Sequence, residues 1–275
     1  NSKCVIGLAA TIINAGATLF IPPLAYALTS IAATLPIICN LEASGAKFVV
    51  PAAYAGEVLR VGEARAGYNL SIANITLPDV YKPTGSAIVS GSVGVRTVNC
   101  NKCRITYGRI SYFDYNLHFG GIGEGTVYCD LFLGQLNYGN QLVRIVPGSG
   151  GWFNSNNIYS GQLRLGGSRV TGQFHFYLDG NSPATSIVGN TFYGTALEGD
   201  GAEYLVSARG AYGNTWINPY VESGFVGVAC TVSGDTITKT AHSLVVNDML
   251  MFSASVLPTG MFDLTPYWVV ATPTA

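Results

Sequence analysis

Charge is scarce in this chain. Lys, Arg, Asp and Glu make up 11% of its 275 residues, less than half the roughly 25% of an average soluble protein. The 14 basic and 15 acidic residues leave a formal net charge of -1. That balance supplies no electrostatic footprint for nucleic acid, and no polybasic cluster marks a membrane surface. Long hydrophobic runs are missing too. Residues 5–41 are apolar overall, but Asn14, the Pro22-Pro23 pair and Pro36 interrupt them. No run reaches the roughly 20 residues of a spanning helix, so no membrane insertion is expected, nor a signal peptide. A G-x-G-x-x-G between strand and helix, a P-loop and an H-E-x-x-H are all absent, and no cofactor is expected.

Six cysteines are too few for a disulfide framework in a chain of this length. Cys4, Cys39, Cys100, Cys103, Cys129 and Cys230 are expected to be buried free thiols of a protein made in a reducing cytoplasm. Cys100 and Cys103 form a C-x-x-C. Zinc would need two further ligands at suitable spacing; Cys129 is one candidate, and no fourth ligand is near in sequence. No metal is therefore expected. Asn69 and Asn74 fit the glycosylation pattern only by chance, given that compartment.

What the chain has in quantity is glycine, 34 residues against a usual share of about 7%, and short alternating apolar runs. Asn69–Leu77, Val93–Val98, Gly172–Leu178 and Tyr204–Ala208 are each about one strand long. Helical periodicity is weak throughout. Gly189-Asn-Thr-Phe192 recurs as Gly213-Asn-Thr-Trp216, an offset of 24 residues that also maps Glu198 onto Glu222. Asn or Asp precedes a strand-like run at 74, 101, 130, 157, 190 and 214, at spacings of 27, 29, 27, 33 and 24. A mostly strand repeat of this length implies one supersecondary coil per repeat, and is too short for a four-stranded propeller blade. The chain is therefore expected to be all-β, a right-handed parallel β-helix of three short strands and three turns per coil. Stacking would place Asn190 over Asn214 in a ladder, and Phe192 over Trp216 inside.

The repeat stops near Gly224. Thr231–Thr240 reads as a hairpin with a Ser-Gly-Asp turn, and His242–Phe252 and Pro266–Val270 read as antiparallel strands. Residues 1–223 are assigned to the β-helix and 224–275 to a small β module. That module ends abruptly at Ala275, as expected of a piece of something longer.

Particular residues carry a family resemblance. Gly16-Ala-Thr-Leu-Phe-Ile-Pro-Pro23 with Tyr26-Ala-Leu-Thr29 looks like the opening coil of pectin-lyase-like β-helices, although Leu24-Ala25-Tyr26 replaces the usual Gly-Thr-Tyr. Gly189–Gly199 followed by Gly213–Glu222 is similar to bacteriophage tailspikes and tail fibres. Asp235–Val245, Leu257–Gly260 and Thr265–Val270 resemble a small β module of phage tail proteins. Together these stretches cover about half of the chain. The resemblance implies a homotrimer of the virion tail, joined to other tail or baseplate proteins. It implies that the protein binds, and often cleaves, a bacterial surface polysaccharide such as capsule, O-antigen or exopolysaccharide.

Glu198 and Glu222 are the candidate catalytic pair. In register they would lie one coil apart, about 5 Å, the separation of a retaining glycosidase, and mutual repulsion would raise one pKa as a general acid requires. Asp200 and Glu203 lie close by in sequence, and either could be the second acid. Tyr220, Tyr212, Arg209 and Glu203 are candidate substrate-binding residues. The plain alternative is that both Glu residues bond backbone amides or a neighbouring chain. Elimination from a uronate would need a cation and a base, for which Arg169 with His175, or Arg209 with Tyr212, are candidates. His175 and His118 are otherwise packed or hydrogen-bonded histidines, and His242 is assigned no chemistry. Asp179, Asp114 and Glu124 read as turn formers. Tyr107, Tyr112 and Tyr115 could stack on sugar rings, though packing is the commoner fate of such residues.

Overall fold

In a computed structural model, residues 17–28, 34–63, 70–120, 125–148, 150–159, 161–166, 172–180, 186–198, 204–221, 231–233, 236–238, 249–251 and 266–268 are described. Their regular structure is β-strand throughout, in four parallel sheets of eight, seven, six and eight strands and two antiparallel pairs. Among the described residues no helix is long and apolar enough to cross a membrane.

One coil shows the plan. Val93–Thr97 lies in sheet one, Cys100–Asn101 in sheet two, Arg104–Thr106 in sheet three and Ile110–Ser111 in sheet four. Tyr115–Phe119 then re-enters sheet one, paired in parallel with Val93–Thr97. The chain is thus a parallel β-helix with four strands per coil rather than three. The additional strand arises because a single left-handed residue breaks runs that read as continuous in sequence. Asn69–Leu77 splits at Ile72 (φ 56°) into Leu70–Ser71 and Asn74–Thr76.

Period-two alternation places the middle residue of each three-residue strand inward. In sheet three the column runs Leu19, Leu41, Ile75, Ile105, Leu131, Ile158, Phe192 and Trp216. Phe192 and Trp216 stack with centroids 4.0 Å apart and planes within 6°, as the 24-residue repeat predicts. Sheet four supplies the facing column of Phe48, Val80, Ile110, Leu136, Leu163 and Leu197, all buried. Each such side chain contributes about 1.5–3 kcal/mol on burial. Sheet one has the longer, five-residue strands. Val93 pairs with Tyr115 and Val95 with Leu117, and the intervening Gly94 and Asn116 are both buried, so burial there departs from strict alternation in successive coils.

The corner from sheet two to sheet three is the most regular. Ile72, Lys102, Tyr128, Ser155, Gly189 and Gly213 all have positive φ there. The next residue points inward and links the coils. The Asn190 N–H donates to Asn214 Oδ1 at 3.0 Å, and the Asn156 N–H to Asn190 Oδ1 at 2.9 Å. The Cys129 N–H donates to Asn156 Oδ1 at 3.0 Å, and the Cys103 N–H to Cys129 Sγ at 3.4 Å. Each side chain also donates to a sheet-two carbonyl of the coil before. Asn214, Asn190 and Asn156 reach Ile187, Phe153 and Thr126 at 2.9–3.1 Å. Cys129 and Cys103 reach Cys100 and Leu70 at 3.8 and 3.6 Å.

This corrects the upstream echoes. Asn74, Asp130 and Asn157 begin sheet-three strands and pair outward with Arg104 and Thr191. They lie one position past the ladder, whose partner for Asn190 is Asn156. Asn101 belongs to sheet two. Cys39, Cys100, Cys103 and Cys129 are buried and free, as expected; Cys4 and Cys230 lie outside the described residues. Hydrogen bonding with Cys103, and then burial, pushes the Cys100 and Cys129 thiols above the ordinary range. Among the described residues no group of three His, Cys, Asp or Glu is placed to hold a metal ion.

Beyond the β-helix, Thr231–Ser233 and Thr236–Thr238 form an antiparallel hairpin. Met249–Met251 pairs antiparallel with Pro266–Trp268, within the strand runs expected there. The boundary placed at 223–224 and the residue His242 lie outside the described residues.

The ladder makes a stability prediction. Asn190→Ala leaves the buried Asn156 N–H and Phe153 carbonyl without partners and is expected to cost roughly 3 kcal/mol. Cys129→Asn, which places an amide at the same ladder position, is expected to cost less than Cys129→Ala. Chemical denaturation of the purified chain measures both.

Candidate functional site

Outward positions of a β-helix form columns with one side chain per coil, about 4.8 Å apart. On sheet four one outward column runs Asn137, Arg164 and Glu198, the last residue of Ala196–Glu198, and its neighbour runs Gln135, Gln162, Ala196 and Tyr220. Both carboxylate oxygens accept from Gln162 Nε2, at 2.9 and 2.8 Å. Gln162 Oε1 accepts in turn from Gln135 Nε2 at 2.5 Å. Gln162 thus bonds along its own column to Gln135 and diagonally to Glu198 in the next. Tyr220 pairs with Ala196 one coil further on and is exposed, so Tyr220 and Glu198 share the sheet-four face.

The carbonyl of Glu198 is held from inside. His175 Nε2 lies 2.8 Å from that oxygen. A carbonyl can only accept, so Nε2 carries the proton. His175 is fully buried, and burial lowers its pKa from 6.5 to about 4, partly offset by hydrogen bonds to the Glu198 and Leu163 backbones. It fits the packed, hydrogen-bonded role and does not reach a substrate as a base. Its proposed cation Arg169 lies outside the described residues.

The other candidates are divided among faces. Tyr212 is exposed and pairs with Val188 on sheet two, away from Tyr220. Arg209 ends the sheet-one strand Tyr204–Arg209, next to Tyr212 across the corner. Asp200, Glu203, Glu222 and Glu124 lie outside the described residues, so Glu198 is the one acid of the proposed set that can be placed.

Asp114 holds a turn, as expected: its two carboxylate oxygens accept from the Gly91 N–H and from Asn140 Nδ2, each at 2.7 Å. Asp179 instead ends the strand Phe174–Asp179 and accepts from the Tyr177 hydroxyl at 3.3 Å. The Gly180-Asn181 that follows made it read as a turn residue.

The aromatic residues mostly meet one another. Tyr107 is buried, its hydroxyl 2.8 Å from Thr97 Oγ1. Tyr112 stacks on Tyr138 at 5.1 Å, and the Arg144 guanidinium lies 4.6 Å over Tyr115. A column not anticipated from sequence runs Phe132, Tyr159 and Tyr193 on sheet three, with centroids 4.6 and 5.0 Å apart. Arg104 caps it, 4.6 Å over Phe132. Its inner faces are used in stacking, which leaves edges and hydroxyls for a ligand. The signal was a shared offset, one aromatic two residues after each of Asp130, Asn157 and Thr191.

No protein-family model, curated protein or solved structure matches this chain.

The buried histidine sets a pH dependence. An imidazole harder to protonate when folded makes the unfolded chain the better proton binder in acid. The contribution of His175 is full above about pH 6.5 and is lost as pH falls toward about 4, on the order of 3 kcal/mol in all. Denaturation midpoints measured across that range are expected to fall, and His175→Gln is expected to flatten this part of the profile.

Proposed function

We propose that this chain is the β-helical part of a bacteriophage tailspike or tail fibre whose sheet-four face binds a bacterial surface polysaccharide. The observation that carries the reading is the hydrogen-bonded chain Gln135–Gln162–Glu198, which crosses two outward columns, with Arg164 in register with Glu198 and the exposed ring of Tyr220 in the glutamine column. Amides and a carboxylate fixed on rigid strands match sugar hydroxyls as donors and acceptors. A free ring matches the apolar face of a sugar. The low charge content and the resemblance of the repeat to tail proteins point the same way, and with them come a homotrimer, attachment to other tail or baseplate proteins, and a place in the virion.

The enzymatic form of the proposal is hydrolysis. Glu198 serves as one acid of the pair and Glu222 as the other, with Asp200 in support. Gln162, donating to both oxygens of Glu198, holds that carboxyl group in a fixed orientation on the face, as either role in a two-carboxylate hydrolysis requires. Binding without cleavage is the competing reading, and the same face serves it. A polysaccharide lyase is the third; with His175 buried, it rests on Arg209 and Tyr212.

Purified chain incubated with polysaccharide from the infected host separates these readings. Hydrolysis predicts new reducing ends, lost by about a hundredfold or more in Glu198→Gln while binding persists. Binding with no new ends in wild type identifies a non-catalytic fibre. Ultraviolet absorbance of an unsaturated uronate identifies the lyase. Absence of any polysaccharide binding contradicts the reading altogether.

A further inference from the structure

Sheet one carries a different outward column. Arg60, Arg96, His118 and Arg144 pair in succession along four adjacent strands, with Tyr177 next. In a chain this poor in charge, three guanidinium groups share one stripe. Arg60 is engaged, its Nε 2.6 Å from Glu57 Oε1. Arg96 has only the other oxygen of that carboxylate, 3.6 Å from Nη1. Arg144 donates from Nη1 to the neutral Gln141 side chain at 2.7 Å, and its guanidinium plane lies over the rings of Tyr115 and Tyr177 at 4.6 and 5.1 Å. Asp179, on the strand of Tyr177, accepts from the Tyr177 hydroxyl at 3.3 Å. Positive charge is therefore left over in the middle of the stripe.

The middle also holds unmet hydrogen-bonding capacity. Arg96 Nε, His118 Nε2 and Arg144 Nε, on three consecutive strands, are buried without a hydrogen-bond partner. Native structures rarely leave such groups unmet, and three in one column point to an absent acceptor. Gly120 packs beside them. A Cβ there would come within 3.1 Å of His118 Nε2, 3.5 Å of Arg96 Nη2 and 3.0 Å of the Val146 carbonyl, so glycine is what lets the column close up on this side, and an acceptor would meet it from the outward side. Burial first, and then Arg96 and Arg144, lowers the His118 pKa to about 3. The imidazole is thus neutral between two cations, and an anion bound to the column would favour its protonation.

We propose that the Arg96–His118–Arg144 column on sheet one is a binding stripe for the carboxylates of an acidic polysaccharide lying along the fibre axis. Arg96 and Arg144 sit two coils apart, about 9.6 Å, so a polymer with a uronate at every second sugar offers one carboxylate to each. The planar guanidinium matches a carboxylate with two parallel hydrogen bonds, and Tyr115 and Tyr177 hold the Arg144 plane in place. This inference rests on the reading of the chain as a polysaccharide-binding fibre. It adds the charge class of the ligand and a second face.

Hyaluronan oligosaccharides serve as the acidic probe and dextran oligosaccharides as the neutral one, with affinities measured by calorimetry at low and at raised salt. Hyaluronan is expected to bind, and to weaken as salt is raised. Arg96→Gln and Arg144→Gln are each expected to weaken it about tenfold or more, the loss of one charge-assisted contact. Arg104→Gln, on sheet three, is expected to leave it unchanged. Side-chain nitrogen NMR is expected to show His118 gaining a proton on binding, a change that loss of folding would not produce. Failure of wild type to bind hyaluronan, or binding equally strong in both sheet-one variants, overturns the inference. Dextran bound by wild type in that case leaves the broader function standing, whereas binding to neither probe nor to host polysaccharide removes both.

Discussion

Six described coils turn from sheet two to sheet three through one residue of positive φ, and the N–H that follows lies outside any strand. In water that donor would be solvated, but here it faces the interior and must be met from within. The next coil meets it, with Asn214 serving Asn190, Asn190 serving Asn156 and Asn156 serving Cys129. Each amide also reaches a carbonyl of that same preceding coil, and Nδ2 of Asn156 and of Asn190 donates to the asparagine of the coil after, so the Asn190 side chain links three successive coils. Buried donors and acceptors left unmet are costly, so a slip of one residue in any coil would break several bonds at once. This fixed register puts Phe192 on Trp216 inside and makes outward side chains into columns.

The thiols belong to the same device. Cys103 and Cys129 occupy ladder positions, and their sulfurs accept and donate where the asparagines do, over longer distances. A sulfur is a weaker partner than an amide. The C-x-x-C is thus explained by stacking, with Cys100 on sheet two and Cys103 at the corner that follows.

Much of this was legible in the sequence. The pair Gly189-Asn190 and Gly213-Asn214 carries both the left-handed residue and the ladder amide, and its 24-residue offset is the true coil length there. Upstream, the same two positions are Ile72-Ala73, Lys102-Cys103, Tyr128-Cys129 and Ser155-Asn156. Different side chains meet the same backbone need, so the repeat fades to the eye while the coil persists. The polar residues that stood out instead, Asn74, Asp130 and Asn157, mark the outward strand start one position later. The fourth strand was hidden because a single left-handed residue need not be glycine. Of the candidate site, Glu198 could be placed and its amide support from Gln162 was new. The sheet-one stripe was not anticipated, since arginines 36 and 48 residues apart have no common offset until insertions between coils are known.

Two outward faces, one of amides with mixed charge and one basic, follow from a single inner ladder, and both lose their geometry if the coils are not in register. Amide hydrogen exchange at Cys129, Asn156 and Asn190 tests that register most directly, because these residues lie outside the strands and would otherwise exchange as turn amides do. The account predicts protection as strong as that of the flanking strands, with Asn190 losing it in Asn214→Ala. Exchange of all three at the rate of exposed turns would contradict it.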